Sequence, residues 1–277
     1  MKFDSRITPI KNNLASIRYQ GLIKKKRFVK GKSFFVISTY SPLYAKKNSI
    51  ELSSQLLFGE EFEVFEVANG LAWGQSKRDQ YVGYTPLQNL SQKKIVAKHK
   101  VNALRTFIYS KPDIKTDPLT YLSFNSLVCV EKRKNYFCKI KGLGWCFAND
   151  LCHIKDIKFK ISDLAIKYLN TPYLWGGRDS MGIDCSGLIQ NIYQMVGINL
   201  PRDTDLQESF ITNEVTSETK IKTGDLIFWK GHIAMALDNK RIIHANAFHM
   251  RTEIEPLKSA KTRIAKKYGK IVKIGRC

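Results

Sequence analysis

The stretch Gly182-Ile-Asp-Cys-Ser-Gly187 lies immediately before a run whose apolar residues have helical spacing. That run contains Leu188, Ile189, Ile192, Met195 and Val196, and Gly197 follows as a helix stop. The pattern therefore predicts a cysteine at a helix N-terminus, where free amide groups and the helix dipole favour negative charge. We expect the pKa of the Cys185 thiol to fall, and the same amides could also meet an oxyanion.

Two histidines later in the sequence could act as catalytic partners of this cysteine. His232 begins one apolar segment, His232–Leu237, and His244 lies in the next, Arg241–Ala245. If Asp238-Asn-Lys240 forms the loop of a β-hairpin, Leu237 faces Arg241, and His232 lies diagonal to His244 on one sheet face. A loop of even length would separate the two side chains. The odd loop predicts a Cys–His–His arrangement for nucleophilic catalysis.

The chain has two patterns of secondary structure. Residues 31–92 and 93–157 read as short strands separated by turns, which predicts two small all-β barrels after an N-terminal extension, residues 1–30. From residue 158 helices precede antiparallel strands, so the fold class expected for residues 158–277 is α+β. We expect Ser162 to cap the first of these helices.

Composition excludes some classes of protein and leaves others open. The 277 residues carry a net charge of +22, which first suggests nucleic acid or an anionic surface. Basic residues exceed acidic ones everywhere except in residues 31–92, and no nucleic-acid motif is present. We therefore expect a solvated basic surface and no nucleic-acid partner. No segment is long and apolar enough to predict a transmembrane helix.

The cysteines and the first residues bear on compartment and metal content. The six cysteines contain no Cys-x-x-Cys pair, so the sequence predicts no structural zinc, no other metal and no cofactor. The N-terminal residues have no signal-peptide pattern, which favours a cytoplasmic location with free thiols. The oligomeric state is left open.

The two β-rich segments resemble bacterial SH3-like domains. In the first the resemblance rests on Trp73-Gly74, Asp79 and Tyr81-Val-Gly-Tyr84, and in the second on Gly144-Trp145. Such domains accompany cell-wall enzymes, where they bind wall polymers or shape the cleft.

Residues 158–277 resemble the NlpC-type cell-wall cysteine peptidases, which have a papain-like core. The motifs that carry this are Thr171-Pro-Tyr-Leu-Trp-Gly-Gly177, Asp184-Cys-Ser-Gly187, Pro201-Arg202, Gly224-Asp-Leu226, Gly231-His232 and His244-Ala245. The resemblance implies that Cys185 is the nucleophile, His232 the general base and His244 the residue that orients it. Tyr173 matches the tyrosine placed near the oxyanion, together with the backbone of Cys185.

The three-part layout is similar to γ-D-glutamyl-L-diamino-acid endopeptidases with N-terminal SH3-like domains. This implies a murein stem peptide as substrate, with its free L-Ala amine held by an Asp beside the cysteine and by groups of the first barrel. The matching positions are Asp184, Ser186, Thr204 (where the pattern usually has Ser), Glu51 or Glu60, and Tyr84. With a cytoplasmic location, this implies peptidoglycan recycling.

Two alternatives stay open on the sequence. One is a wall-binding SH3-like protein without turnover, for which salt-dependent binding without hydrolysis is expected. The other is an amidase or acyltransferase on the same papain-like core, which would not require a free N-terminal amine.

Overall fold

The computed structural model describes residues 3–277 and divides into two compact units, one ending at Ile154 and one beginning at Lys155. The division falls slightly before the break expected between residues 157 and 158. Each unit has its own hydrophobic core. Among residues 3–277, no helix has the length and apolar character needed to cross a membrane.

The first barrel forms where alternation in the sequence predicts strands. Its strands, with two from the preceding segment, are β1 Leu14–Ser16, β2 Arg27–Val29, β3 Lys32–Val36, β4 Tyr40–Leu43, β5 Ser54–Leu57, β6 Glu61–Ala68, β7 Leu71–Ser76, β8 Val82–Pro86 and β9 Leu90–Ser91. One sheet has the order β8-β7-β6-β3-β9, and β4 pairs with β5. Asn69 and Gly70 both have positive φ, which confirms the predicted hairpin turn between β6 and β7.

The second barrel packs against the first within the same unit. Its strands are β10 His99–Val101, β11 Arg105–Tyr109, β12 Pro118–Ser123, β13 Leu127–Val128, β14 Val130–Lys134, β15 Phe137–Ile140, β16 Gly144–Phe147 and β17 Leu151–His153. The main sheet has the order β12-β11-β16-β15-β14, beside a smaller sheet β13-β10-β17. Phe58 of the first barrel belongs to the core of the second, so the two barrels share apolar packing. Short 3₁₀ turns occur at Ile17–Tyr19, Leu87–Asn89 and Ala148–Asp150.

The N-terminal extension is part of the first barrel in structural terms. Strands β1 and β2 pair in parallel, and Leu14 packs with Phe65, Trp73 and Val82. The carbonyl of Ile7 accepts a hydrogen bond from the Gln75 side chain at 2.8 Å. Met1 and Lys2 lie outside the described residues. The segment that the sequence left unassigned thus covers one side of the barrel core.

The C-terminal unit is α+β, as expected. Its elements are α1 Ile161–Ile166, β18 Arg178–Asp179, β19 Gly182–Ile183, α2 Cys185–Met195, α3 Thr204–Phe210, β20 Asn213–Glu214, β21 Leu226–Trp229, β22 His232–Ala236, β23 Arg241–Asn246, β24 Arg251–Pro256, α4 Leu257–Tyr268 and β25 Lys273–Arg276, with a 3₁₀ turn at Glu218–Lys220. The central sheet is antiparallel in the order β20-β25-β21-β22-β23-β24.

Two helices position the functional side chains of this unit. All eleven residues of α2 are buried, because the helix contacts β22 and β23 as well as α1, α3 and β18. Helix α4, which the sequence analysis did not predict, packs Leu257, Ala260 and Ile264 against Ala234 and Ala236 of β22. Strand alternation places His232 on that same face of the sheet.

One predicted cap is wrong. Helix α1 begins at Ile161 with Lys160 at the N-cap position and no side-chain cap, so Ser162 lies inside the helix. The stop predicted for α2 is confirmed, since Gly197 follows the helix with φ near +90°.

Candidate active site

Asp184 fixes the position of the cysteine by capping α2. Its Oδ1 accepts a hydrogen bond from the Gly187 amide at 2.7 Å, and its Oδ2 accepts one from the Gly176 amide at 2.9 Å. Cys185 is therefore the first residue of the helix, as the sequence predicts. Gly187 permits this packing, because a Cβ there would lie 2.4 Å from the Gly177 carbonyl oxygen.

The Cys185 thiol is buried, and this changes its expected acidity. Burial, followed by the charge of the adjacent Asp184 carboxylate, raises the pKa of Cys185 to about 11. Hydrogen bonds from the Ile233 backbone and from Thr204, whose Oγ1 lies 3.9 Å from Sγ, oppose the rise. The expectation of a lowered thiol pKa is wrong, because desolvation outweighs the amides at the helix N-terminus. At neutral pH the Cys185 side chain is therefore a neutral thiol.

The hairpin β22–β23 brings the two histidines together as predicted. Met235 pairs with Ile243 and Ala236 with Ile242, and the Leu237 amide bonds the Arg241 carbonyl at 2.9 Å, which is the register that the odd loop requires. His232 Nε2 lies 2.8 Å from His244 Nδ1.

Glu255 of the next strand extends this pair. Its Oε1 lies 2.6 Å from His244 Nε2, and its carboxylate also forms an ion pair with Arg263 of α4. Burial alone would raise the pKa of Glu255, but the hydrogen bond from His244 and the charges of His244 and Arg263 hold it below its ordinary value. Glu255 is therefore ionised at neutral pH and can only accept hydrogen bonds.

The charge on Glu255 determines where the protons sit. His244 donates its Nε2 proton to Glu255, so its Nδ1 is an acceptor when the ring is neutral. His232 then donates its Nε2 proton to His244, which leaves a lone pair on His232 Nδ1. His232 carries a free basic nitrogen, as a general base must.

Both histidines are neutral in this environment. Burial, and then the charges of His244 and Arg263, hold the pKa of His232 well below its ordinary value. Burial likewise lowers the pKa of His244, although Glu255 acts in the opposite direction. Because the Cys185 thiol and the His232 imidazole are both neutral at rest, attack by this thiol would require transfer of its proton.

Cys185 and His232 open into one cavity of about 410 Å³. Its wall is mostly aromatic and cationic, and consists of Tyr173, Trp175, Gly231, Asn246, Ala247, Phe248, Arg263, Ile264, Lys267 and Tyr268. The main chain of Tyr173 is held by its amide, which bonds the Met250 carbonyl at 2.9 Å. Tyr173 therefore lines the same cavity as Cys185, and its predicted place near the oxyanion stays a prediction.

The remaining predicted ligands of the C-terminal unit surround the helix N-terminus. Arg202 donates to Asp184 Oδ2 at 2.6 Å and to Ser186 Oγ at 2.8 Å, so both side chains already have a buried cationic partner. Thr204 is the first residue of α3. The predicted role of Asp184, Ser186 and Thr204 in binding a substrate amine stays a prediction.

The three predicted ligands in the first barrel differ in how available they are. Glu60 is only 2% exposed, and its carboxylate bonds Arg78 at 2.9 Å and the Leu57 amide at 3.0 Å, so its oxygens are engaged inside the barrel. Glu51 is exposed on a loop. The Tyr84 hydroxyl accepts from Lys11 at 3.4 Å. Of the two glutamates, Glu51 is the one with a carboxylate accessible to a ligand.

His244 and two side chains near it have a geometry that could hold a metal ion. Donor atoms of His244, His249 and Glu255 lie within 4.8 Å of one another. Arg263 already forms an ion pair with Glu255, so a metal ion bound there would be repelled by the guanidinium charge. We therefore assign Glu255 in this cluster to holding the His244 ring in place rather than to binding a metal ion.

Comparison with known proteins follows the same division of the chain. Residues 170–268 match the NlpC/P60 family, and residues 43–90 match the bacterial dipeptidyl-peptidase SH3 domain. The C-terminal unit is an NlpC/P60 domain. It contains Cys185, both histidines and the cavity, and the SH3 match lies within the first barrel.

Two individual relatives and one solved structure also match this chain. The chain is 40% identical over 82 residues to dipeptidyl-peptidase 6 of Lysinibacillus sphaericus, covering 30% of each protein. It is 25% identical over 215 residues to the γ-D-glutamyl-L-lysine dipeptidyl-peptidase of Bacillus subtilis, covering 70% of this chain and 72% of that one. An NlpC/P60 family protein from Bacillus cereus has the same fold, with a TM-score of 0.74 at 20% identity over 88% of this chain and 99% of that one.

Proposed function

We propose that this chain is a cysteine peptidase that hydrolyses the γ-D-glutamyl–diamino acid bond of murein stem peptides with a free N-terminal L-Ala. The observation that carries the proposal is the line Cys185, His232, His244 and Glu255, whose first two members open on one cavity. The names of the B. subtilis relative and of the matched SH3 domain support a dipeptidyl-peptidase acting on a γ-D-glutamyl bond.

In this reaction His232 takes the thiol proton while Cys185 Sγ attacks the γ-carbonyl carbon of D-Glu. The carbonyl π electrons move to oxygen, and the oxyanion is met by the Cys185 amide at the start of α2 and by Tyr173. The C–N bond then breaks, and His232 protonates the leaving amine of the diamino acid. A water molecule, deprotonated by His232, hydrolyses the thioester and restores the thiol.

A peptide panel tests the proposal. Wild-type protein is incubated with L-Ala-γ-D-Glu-diaminopimelate, with its L-Lys counterpart and with both peptides acetylated at the N-terminus, and mass spectrometry identifies the products. We expect L-Ala-γ-D-Glu and the free diamino acid from the peptides with a free amine only. Equal cleavage of acetylated peptides would favour an amidase or a general endopeptidase, and binding without cleavage would favour a wall-binding protein.

A role in recycling inside the cytoplasm is part of the proposal. Fractionation of cells that produce the native chain tests this: the protein should be found with cytoplasmic markers. Its recovery in the cell-wall fraction would instead indicate remodelling of intact wall.

A further inference from the structure

The cavity beside the nucleophile has a cationic wall. Arg263 and Lys267, one turn apart on α4, both line it. Among residues 3–277, no aspartate or glutamate contributes to the same wall. A cavity of this kind favours an anionic group on whatever molecule enters it.

The two cations differ in how they are engaged. Arg263 pairs with Glu255, and its guanidinium lies 4.3 Å from the centre of the Phe248 ring. Lys267 has no carboxylate partner within the part of the chain that the structure describes, and its ammonium lies 5.2 Å from the Tyr268 ring. On the same helix Lys261 is paired with Glu218. Lys267 is therefore a cation at the cavity that is available to a ligand.

The rest of the site indicates which part of the substrate enters here. The residues expected to hold the N-terminal amine, Asp184, Ser186 and Thr204, do not line this cavity. Cys185 belongs to both regions, because it follows Asp184 in sequence and lines the cavity itself. A substrate that spans Cys185 with its amine on the Asp184 side would place its leaving residue in the cavity.

We propose that Lys267, assisted by Arg263, binds a free carboxylate on the residue that leaves when the γ-D-glutamyl bond is cleaved. The inference rests on the proposed function and adds the recognition of the leaving side. The carboxylate has two possible sources, which are the C-terminus of a tripeptide and the second carboxylate of diaminopimelate. A requirement for the C-terminal carboxylate would select free tripeptides, in which this group is unblocked, whereas the side-chain carboxylate of diaminopimelate is also present in longer stem peptides.

Four peptides separate the two sources. They are L-Ala-γ-D-Glu-L-Lys, its C-terminal amide, L-Ala-γ-D-Glu-diaminopimelate, and the corresponding amide that keeps only the side-chain carboxylate. If the C-terminal carboxylate is bound, both amides lose about tenfold in kcat/KM, as expected for a charged hydrogen-bond partner. If the side-chain carboxylate is bound, both diaminopimelate peptides are cleaved about tenfold faster than both lysine peptides.

A pair of variants on α4 tests the lysine itself. Lys267→Ala should remove the preference between peptides, by slowing the favoured ones to the rate of the others. Lys266→Ala, next to it but absent from the cavity wall, should keep the wild-type preference. In a Cys185→Ala background, calorimetry gives the Kd of the favoured peptide without turnover. Adding Lys267→Ala should weaken that Kd by about tenfold.

The outcomes separate this inference from the proposed function. If wild-type protein cleaves all four peptides alike and Lys267→Ala matches Lys266→Ala, the carboxylate subsite is wrong and the peptidase stands. If wild-type protein cleaves none of them and the Cys185→Ala protein binds none, the proposed function fails and the subsite fails with it. Peptide binding that weakens only in Lys267→Ala supports the subsite.

Discussion

The Nε2 atom of His232 lies 2.8 Å from the Nδ1 atom of His244, across two neighbouring antiparallel strands. The far nitrogen of His244 lies 2.6 Å from the Glu255 carboxylate, which Arg263 also contacts. The ionised Glu255 carboxylate can only accept hydrogen bonds, and this determines which nitrogen of each histidine carries a proton. In the proposed reaction Glu255 thus acts on His232 through His244, as a positioning residue.

Glu255→Gln is expected to lower kcat by roughly 10–100-fold, because the neutral amide no longer fixes the tautomer of His244 and of His232. Glu255 does not line the cavity but its partner Arg263 does, so a change in KM would report on Arg263 and a change in kcat on the histidines. The pH dependence of kcat should also move, because loss of the negative charge changes the pKa of the histidines. Steady-state kinetics between about pH 5 and pH 9 measure all three quantities.

Glu253→Gln is the matched control for this variant. Glu253 lies on the same strand directly opposite His244, and its carboxylate bonds the exposed Arg251 at 2.7 Å. Its loss should leave kcat and the pH profile unchanged. If both variants behave alike, Glu255 has only a structural role.

The reactivity of the thiol should rise with pH. Because burial and Asp184 raise the pKa of Cys185 to about 11, the thiolate fraction increases over the whole neutral range. Alkylation of Cys185 by iodoacetamide should accelerate about tenfold per pH unit between about pH 6 and pH 9. Mass spectrometry of the peptide containing Cys185 gives the rate without interference from the other thiols. A fast rate that is independent of pH would indicate a resting thiolate–imidazolium pair instead.

Arg202→Ala should destabilise the C-terminal unit. The arginine is 1% exposed and neutralises the Asp184 carboxylate, so its removal leaves a buried charge unpaired. The free energy of unfolding should fall by roughly 3–5 kcal/mol in urea titrations. Arg241→Ala, which removes the exposed ion pair with Asp238, should cost less than about 1 kcal/mol. Equal losses in the two variants would mean that Arg202 is not the partner that Asp184 requires.

The sequence predicted those parts of the site that depend on local rules. The apolar spacing after Cys185 places the cysteine at a helix start, and the parity of the loop Asp238–Lys240 decides that the two histidines share a face. Both inferences use residues close together in the chain, whose geometry follows from helix and strand periodicity.

The parts that the sequence missed depend on packing between distant elements. Glu255 reaches His244 only because β24 lies beside β23, where Glu253 is opposite His244 and Glu255 is diagonal to it. The alternation Thr252-Glu-Ile-Glu255 was the available signal, and the order of strands was the missing fact. Burial of the thiol also follows from tertiary packing, which is why its pKa was predicted in the wrong direction.

The central claim is that Cys185 carries out hydrolysis of a γ-D-glutamyl bond, and one comparison tests it most directly. Wild-type and Cys185→Ala proteins are incubated with L-Ala-γ-D-Glu-diaminopimelate, and mass spectrometry follows release of L-Ala-γ-D-Glu, with circular dichroism as the check on folding. We predict release by wild-type protein and none by a folded Cys185→Ala variant. Release at the wild-type rate by the folded variant would contradict the account.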